Sequence, residues 1–174
     1  YKQIRSFVFK DNFIYFKNKY VQGFEFLNYS RNLGGKIGIN ISKSSIFQWF
    51  IINNNKINYP WVDDLTSKRL INIIYNYEYI NSSSTPYERQ MLNKIIFYHI
   101  ERVIFENKNK KIADVTSSDL KAYTLSLFLL NKMDERKKTE IESRLVHQVD
   151  IFGMHRSYNI LEHAKFINDL YEIK

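Results

Sequence analysis

The stretch IFGMHRSYNILEHAKF, residues 151–166, contains two of the chain's four histidines together with an arginine, a tyrosine and a glutamate. Imidazole, phenol and carboxylate groups are the side chains that most often act as general acids and bases, so this stretch has the residue types for proton transfer. It also contains Gly153, and glycine supplies the backbone freedom that a helix break needs. The sequence therefore allows two interpretations, an acid/base site or a polar entrance to a helix.

A second candidate is an arginine on the apolar face of a predicted helix. Arg69 lies four residues after Leu65 and four before Ile73. A buried arginine needs a partner, and an ion pair with Asp63, Asp64 or a carboxylate on a neighbouring helix is one interpretation. The alternative is that its planar guanidinium lines a groove and binds a substrate carboxylate through two parallel hydrogen bonds. We test the second hypothesis, which predicts a partly solvent-accessible guanidinium.

Other polar residues have structural explanations. His99 lies four residues from both Ile95 and Val103, a position typical of a core histidine with satisfied hydrogen bonds. Basic clusters at 108–111 and 136–138 fall in predicted turns, where solvated charge is the default. Only if both clusters lay on one rim would they form a track for a polyanion.

The histidines do not predict a metal site. His147, His155 and His163 are eight residues apart, but Gly153 interrupts the helix between them and no carboxylate completes a recognised ligand spacing. The chain has no cysteine, which excludes thiolate catalysis and cysteine-ligated zinc. It also lacks a glycine-rich phosphate loop and a nucleophile elbow. We therefore predict neither a metal nor a cofactor.

Composition and charge narrow the class of protein. The 174 residues are 44% hydrophobic and carry a net charge of +8, which predicts a globular chain with a polyanionic partner. No apolar run is long enough for a membrane span. The chain begins with Tyr1 and so is predicted to be part of a longer protein. Its localisation stays open: outside the cytoplasm if a leader was removed, and otherwise cytoplasmic.

The hydrophobic pattern changes near residue 60. Residues 1–60 mix alternation with aromatic and β-branched residues, which predicts short strands or irregular segments packed on the helices. Residues 61–174 have a helical period, and one domain overall is predicted. The predicted helices span about 62–79, 86–106, 120–130, 139–149 and 158–173.

Two helix starts have local signals. Thr85 and Glu88 form a capping box with Pro86 at the first helical position. Ser157 is the predicted N-cap of the last helix, which makes residues 151–166 first a helix break and restart. Spacing assigns Tyr158 and Glu162 to the polar face of that helix and places His163 beside the core stripe. The predicted core-facing stripe comprises Ile160, Ala164, Ile167 and Tyr171.

Several strings, in order, resemble the N-terminal helical domain of the heparinase II/III-like polysaccharide lyases. They run from about Phe24 to the C-terminus. The strings are FEFLN (24–28), WVDDLTSKRLINII (61–74), SDLKAYTLSLFLL (118–130), HQVDIFGMH (147–155) and INDLYEI (167–173).

This resemblance implies a fold and a substrate class. The fold would be an incomplete α/α toroid, in which stacked antiparallel helical pairs surround a groove for an acidic polysaccharide. Family members cleave uronate-containing chains by β-elimination and continue into a C-terminal β-sandwich domain of the same protein. The resemblance places Arg69, Asn72 and His155 at the substrate, and His99, on the apolar face of its helix, is a further substrate-binding candidate.

The resemblance also implies catalytic candidates in residues 151–166. The family's turn continues as His-x-Glu-Arg-Ser-x-x-Tyr-His, in which Tyr is the acid/base. A gapless match places Glu162 on that Tyr and His163 on the following His, whereas a gapped match places residues 156–158 on Arg-Ser-Tyr and makes Tyr158 the candidate. Asp114 falls where the family has an Asn-His pair that neutralises the uronate carboxylate.

Two substitutions oppose catalysis. Asp114 is negative and would repel a uronate, and Phe152 replaces the aspartate of the family's turn. We therefore predict that the isolated chain has no appreciable lyase activity. A non-catalytic relative that serves surface-polysaccharide assembly or binding is one alternative. A basic helical domain that binds nucleic acid is the less favoured one, and it predicts an affinity that falls steeply with salt.

Overall fold

Helices dominate the computed structural model, which describes residues 19–55, 61 and 64–173. No β-strand occurs within those ranges, which confirms the mainly α class. The helices are α1 (Lys19–Gln22), α2 (Phe26–Leu33), α3 (Gly35–Asn53), α4 (Leu65–Tyr75), α5 (Tyr77–Asn81), α6 (Pro86–Asn109), α7 (Ser117–Leu129), α8 (Glu135–Val146) and α9 (Ile160–Ile173), with a 3₁₀ turn at Ile112–Asp114.

The chain divides into two compact units, Tyr1–His99 and Ile100–Lys174, and the division falls inside α6. In the first unit, α2 packs on α3 and α4, and α5 packs on α3 and α4. Its core is rich in aromatic side chains. The core residues are Phe24, Phe26, Leu27, Ile46, Trp49, Phe50, Trp61, Ile73, Ile80, Leu92 and Ile95.

The prediction of strands or irregular structure was wrong for residues 19–53, which are mostly helical. The buried residues of α3 include Ile39, Ser42, Ile46, Trp49 and Asn53, which recur every three to four positions. The many β-branched and asparagine residues of this segment have low helix propensity, but burial of one face outweighs that weak preference. The rest of the segment predicted as strand or irregular, residues 1–18 and 56–60, lies outside the described ranges.

The capping box predicted for α6 is present. The backbone N–H of Glu88 donates to Thr85 Oγ1 at 3.2 Å, and the N–H of Thr85 donates to Glu88 Oε2 at 2.8 Å. Together with Lys43, whose Nζ lies 2.9 Å from Glu88 Oε1, this backbone N–H lowers the pKa of Glu88 to about 2. The ion pair and the box together fix the first turn of α6.

In the second unit, α7 packs on α8 and α9. A capping box of Thr116 and Asp119 starts α7, and the prediction of a helix at 120–130 is confirmed. That helix is less deeply buried than predicted, because Phe128 and Leu129 are exposed. Helix α8 begins four residues earlier than predicted, where Asp134 accepts a hydrogen bond from the Lys137 N–H.

The last helix is present as predicted, but the predictions of its N-cap and of its buried face were wrong. Asn159, and not Ser157, caps α9, because its Oδ1 accepts from the N–H of Leu161 at 2.9 Å. The stripe that was predicted to face the core is exposed: it comprises Ile160, Ala164, Ile167 and Tyr171. The buried positions of α9 are Phe166 and Asp169. Asp169 is held by Ser117 and Lys121 of α7, which turns the other face of α9 to solvent.

Among the described helices, none combines the length and the hydrophobicity needed to cross a lipid bilayer.

Candidate functional site

The first unit encloses Arg69 completely. Its guanidinium lies over the rings of Trp49, at 4.3 Å, and Trp61, at 4.8 Å, and its Nη1 donates to the Gln22 carbonyl at 2.9 Å. A further N–H reaches Thr66 Oγ1 at 3.4 Å. Stacking on indole and donation to carbonyl and hydroxyl oxygens are the contacts that a buried guanidinium needs.

His99 is the neighbour of Arg69 in this enclosure. Arg69 Nε donates to His99 Nε2 at 3.2 Å, so the proton of the neutral ring lies on Nδ1, 2.8 Å from the Ile95 carbonyl oxygen. Burial, and secondarily the positive charge of Arg69, lowers the pKa of His99 to about 3. His99 is therefore neutral at physiological pH, as expected for a core histidine.

Asn72 donates its Nδ2 to the Gly23 carbonyl at 2.8 Å, one residue beyond the carbonyl bound by Arg69. These two side chains thus hold the turn that leads into Phe24, whose φ of 60° is rare for a non-glycine residue. Arg69 and Asn72 of α4 therefore fix the segment at Gln22 and Gly23 to that helix.

The hypothesis that Arg69 faces a groove was wrong about its solvent access. The exposed fraction of Arg69 is 0%, and so is that of His99. A polysaccharide cannot reach the guanidinium without removing Trp49 or Trp61. The apolar-face position indicated burial, but it could not indicate that the Trp49 and Trp61 rings cover the guanidinium.

The second unit contains the other candidates, in a connection that we call the interhelix turn (residues 147–159, between α8 and α9). Asp150 organises it. The backbone N–H groups of Phe152 and Met154 both donate to Asp150 Oδ1 at 2.9 Å, and the Asp150 N–H donates to the Met154 carbonyl at 2.8 Å. The Met154 N–H, followed by that of Phe152, holds the pKa of the Asp150 carboxyl below its usual value.

Tyr158 and Arg156 are both held by this turn. Tyr158 donates its backbone N–H to the His155 carbonyl at 2.9 Å, and its hydroxyl contributes to the lowered pKa of Asp150. Arg156 donates its backbone N–H to the Gln148 carbonyl at 2.9 Å and its Nε to the Val149 carbonyl at 3.1 Å. A phenol, a carboxylate and a guanidinium therefore have fixed positions at one solvent-exposed turn.

Two histidines meet where the turn enters α9. The backbone N–H of His155 donates to His163 Nδ1 at 3.2 Å, and the His155 ring packs on Phe166 at 5.6 Å between ring centres. Glu162 lies on the exposed first turn of α9. Gly153 has a φ of 78°, a left-handed conformation that glycine adopts without strain, and this confirms the predicted helix break.

Asp114 lies in the exposed 3₁₀ turn, next to Val115, whose carbonyl contacts the interhelix turn. Gln148 Nε2 donates to the carbonyl of Val115 at 3.2 Å. The structure thus places the residue next to Asp114 against the interhelix turn, through a side-chain contact that no local pattern in the sequence indicates.

The interhelix turn borders a surface depression of about 720 Å³. Its polar lining consists of Asp150, Arg156 and Tyr158, and Ile151 and Phe152 contribute apolar surface. Ile151 is 93% exposed and Phe152 83% exposed. In the described ranges, no cluster of three histidine or carboxylate side chains is arranged to hold a metal ion.

Comparison with known proteins adds no relative. No protein-family model matches the chain, and neither a curated protein nor a solved structure has significant similarity to it. The residues of the site must therefore be interpreted from their own geometry.

Sequence reasoning missed two residues that organise these regions. Asp150 was not selected, although an aspartate two residues before an exposed aromatic and three before a glycine is typical of a turn whose carboxylate accepts backbone N–H groups. Gln22 was also missed. Its side chain accepts from Trp49 Nε1 at 2.8 Å and its carbonyl accepts from Arg69, and no local pattern indicates either contact.

Proposed function

We propose that this chain is a polysaccharide-binding helical segment that holds an acidic, uronate-containing polysaccharide at the interhelix turn. Helices that resemble part of an α/α toroid would carry the turn, and the longer protein would add a β-sandwich domain and, with it, the capacity for β-elimination. The mainly α architecture supports the proposal, as does the resemblance of the strings that form the turn.

The observation that carries the proposal is the combination of residues that line the depression. A sugar ring presents an apolar face and a rim of hydroxyl groups, and a uronate adds one carboxylate. Phe152 and Tyr158 are exposed aromatic side chains of the kind that pack on such a face, and the Arg156 guanidinium has N–H donors beyond the one given to Val149. Charge-assisted hydrogen bonds from these donors would bind the carboxylate.

Charge alone does not explain binding at this turn. Residues 1–99 contain 13 Lys or Arg and 6 Asp or Glu, whereas residues 100–174 contain 13 and 12. The net charge of +8 is thus carried mainly by the first unit, +7 against +1. Binding at the interhelix turn must come from short-range contacts of Arg156 and the aromatic residues, and this distinguishes it from general attraction of polyanions.

A charge-matched pair of variants tests the proposal. Oligosaccharides of heparan sulfate, chondroitin and alginate are titrated into the wild type, Arg156→Gln and Arg136→Gln, since Arg136 is exposed on α8 and lines no part of the depression. We expect Arg156→Gln to weaken the uronate ligand by about tenfold or more and Arg136→Gln to change it by less than about twofold. Neutral dextran and duplex DNA serve as controls.

Equal losses in both variants would show that only long-range charge matters. Tighter binding of DNA than of any uronate oligosaccharide, with a steep dependence on salt, would instead support the nucleic-acid alternative.

The proposal concerns binding, and the geometry agrees with little catalysis by the isolated chain. Asp150, the carboxylate nearest to Tyr158 in the turn, already accepts the backbone N–H groups of Phe152 and Met154 and so serves the structure of the turn. We expect no increase in the absorbance of unsaturated uronate product on any of the three polysaccharides. Clear turnover would show that the turn retains an acid/base function.

A further inference from the structure

One contact of the interhelix turn depends on the protonation state of an imidazole. The backbone N–H of His155 donates to His163 Nδ1 at 3.2 Å. A backbone N–H can only donate, so Nδ1 must be the unprotonated nitrogen and the ring proton must lie on Nε2. A second proton on this imidazole would occupy Nδ1, remove the acceptor and place two N–H groups against each other.

The hydrogen bonds continue from this contact to the cap of α9. His155 Nδ1 lies 2.8 Å from Ser157 Oγ and accepts the Ser157 N–H at 3.3 Å. Ser157 Oγ in turn accepts the N–H of Asn159, the residue that caps α9. His163, one turn into α9, is therefore joined to the cap of its own helix through the backbone of the interhelix turn.

We propose that His163 is a pH-sensitive latch: when its imidazole is neutral it holds the interhelix turn against α9, and when it is protonated the turn is released. A second proton on the ring removes the acceptor of the His155 N–H, so acidification that protonates His163 breaks the contact. Protonation of His155 would remove the acceptor of the Ser157 N–H, but the Ser157 hydroxyl, 2.8 Å from the same nitrogen, can rotate and accept from the protonated ring. The contact between the His155 N–H and His163 Nδ1 joins the turn directly to α9, and it therefore controls the latch.

Charged groups on the surrounding elements do not replace the lost contact. On the turn they are His147, His155, Asp150 and Arg156, on α7 Asp119 and Lys121, and on α9 Glu162, Lys165, Asp169 and Glu172. Asp169 and Glu172 pair with Lys121, Asp119 pairs with Lys110, and Asp150 accepts backbone N–H groups. Glu162 is exposed, and water screens its attraction for an imidazolium.

The latch would regulate ligand binding, a consequence that rests on the proposed function. Arg156 and Tyr158 lie on the segment between His155 and α9. Release of the turn would remove the fixed positions of these two side chains and so weaken their binding to a sugar. The latch itself is a property of the ligand-free chain. It is therefore measured without any polysaccharide, so that its failure and the failure of the proposed function can be told apart.

The experiment is amide hydrogen exchange of the ligand-free chain, followed by NMR at about pH 7.5 and about pH 5 and corrected for intrinsic exchange. We expect the protection of the His155 amide to fall by about tenfold or more at the lower pH. Amides in the core of the first unit, such as that of Trp49, should keep their protection and thereby exclude general unfolding.

Two variants make the assignment specific. His163→Asn keeps an acceptor oxygen near the position of Nδ1 but does not titrate, so its His155 amide should be equally protected at both pH values. His163→Leu lacks the acceptor and should show low protection at both. Unchanged protection in the wild type would overturn the proposal, and so would an asparagine variant that loses as much protection on acidification as the wild type does.

Discussion

The enclosure of Arg69 and the interhelix turn contain the same kinds of side chain in opposite environments. In the first, an arginine and a histidine are fully buried among Trp49 and Trp61. In the second, Arg156 and Tyr158 lie on an exposed turn. Only the second is accessible to a polymer. Residue type and spacing identify groups that can do chemistry, and burial decides whether they stabilise the fold or contact a ligand.

Energetics sharpen this difference. A buried guanidinium has lost its hydration, and its contacts with the surrounding polar groups and rings must offset that desolvation free energy. Each of these contacts is therefore needed for folding. An exposed guanidinium keeps its hydration, contributes little to stability and can exchange water for a ligand. Substitutions in the first region should therefore change the free energy of unfolding, and substitutions in the second should change binding.

The largest effect is expected for Arg69→Met. The change leaves the Gln22 carbonyl, Thr66 Oγ1 and His99 Nε2 without the donor they share. We expect a loss of about 4 to 5 kcal/mol in the free energy of unfolding, measured by urea denaturation. The matched control is Arg89→Met, at an exposed position of α6, which should cost less than about 0.5 kcal/mol. Similar costs for the two variants would contradict the structural role of Arg69.

A matched pair of phenylalanines gives the next largest effect. Phe24 is fully buried and meets the Trp49 ring edge-on at 5.2 Å between ring centres, whereas Phe152 is 83% exposed. Phe24→Ala should cost about 3 to 4 kcal/mol, and Phe152→Ala should change stability by less than about 0.5 kcal/mol. Thermal and urea unfolding measure both. A destabilising Phe152→Ala would mean that the exposed aromatic residue packs within the fold.

The pH dependence of stability tests the neutral state of His99. Its pKa is lowered to about 3, so between this value and the ordinary histidine pKa the unfolded chain binds one proton more than the folded chain. The contribution of His99 to the free energy of unfolding is therefore fully present above about pH 6.5 and is lost as the pH decreases. The loss from this group alone should be about 3 kcal/mol between pH 7 and pH 4.

His99→Gln isolates that contribution from the carboxyl groups. Glutamine offers Arg69 a neutral acceptor that does not titrate, so the variant should show the pH slope of the wild type minus the histidine contribution. Parallel curves of unfolding free energy against pH for the two proteins would show that His99 is not held neutral.

The smallest effect is expected at the start of α6. Thr85→Ala removes the capping hydroxyl that accepts the Glu88 N–H, and should cost about 1 kcal/mol. Thr139→Ala, inside α8, replaces a hydroxyl that only bonds the Glu135 carbonyl within its own helix, and should be neutral within about 0.5 kcal/mol. Equal changes in both variants would show that the box adds nothing to the fold.

Local signals in the sequence predicted the parts of the fold that local interactions determine. The capping box at Thr85 and the break at Gly153 were both correct, because each depends on residues within a few positions. The prediction of the core-facing stripe of α9 was wrong, because the helix packs on α7 through its other face. Asp169 is bound by Lys121 and Ser117 of α7, contacts across about fifty residues of chain that no periodicity can reveal.

For the candidate site, the sequence indicated which residues could take part but not which of them are exposed to solvent. The sequence places Tyr158, His155 and His163 close together in the chain, and the structure adds a hydrogen bond from the His155 N–H to His163 Nδ1. The solvent access of Arg69 was not predictable, because the rings that cover it lie about ten and twenty residues earlier in the sequence. Fold class and local motifs thus follow from the sequence, whereas exposure, which separates the two regions, follows from tertiary packing.

The most direct test of this contrast is a residue-resolved NMR titration of the wild-type chain with a uronate oligosaccharide. The largest shift changes should fall on backbone amides of residues 150–158, while those of Arg69, Asn72 and His99 stay unchanged, because the first group is exposed and the second is enclosed. Shift changes centred on Arg69 and His99, with the interhelix turn unaffected, would contradict the account.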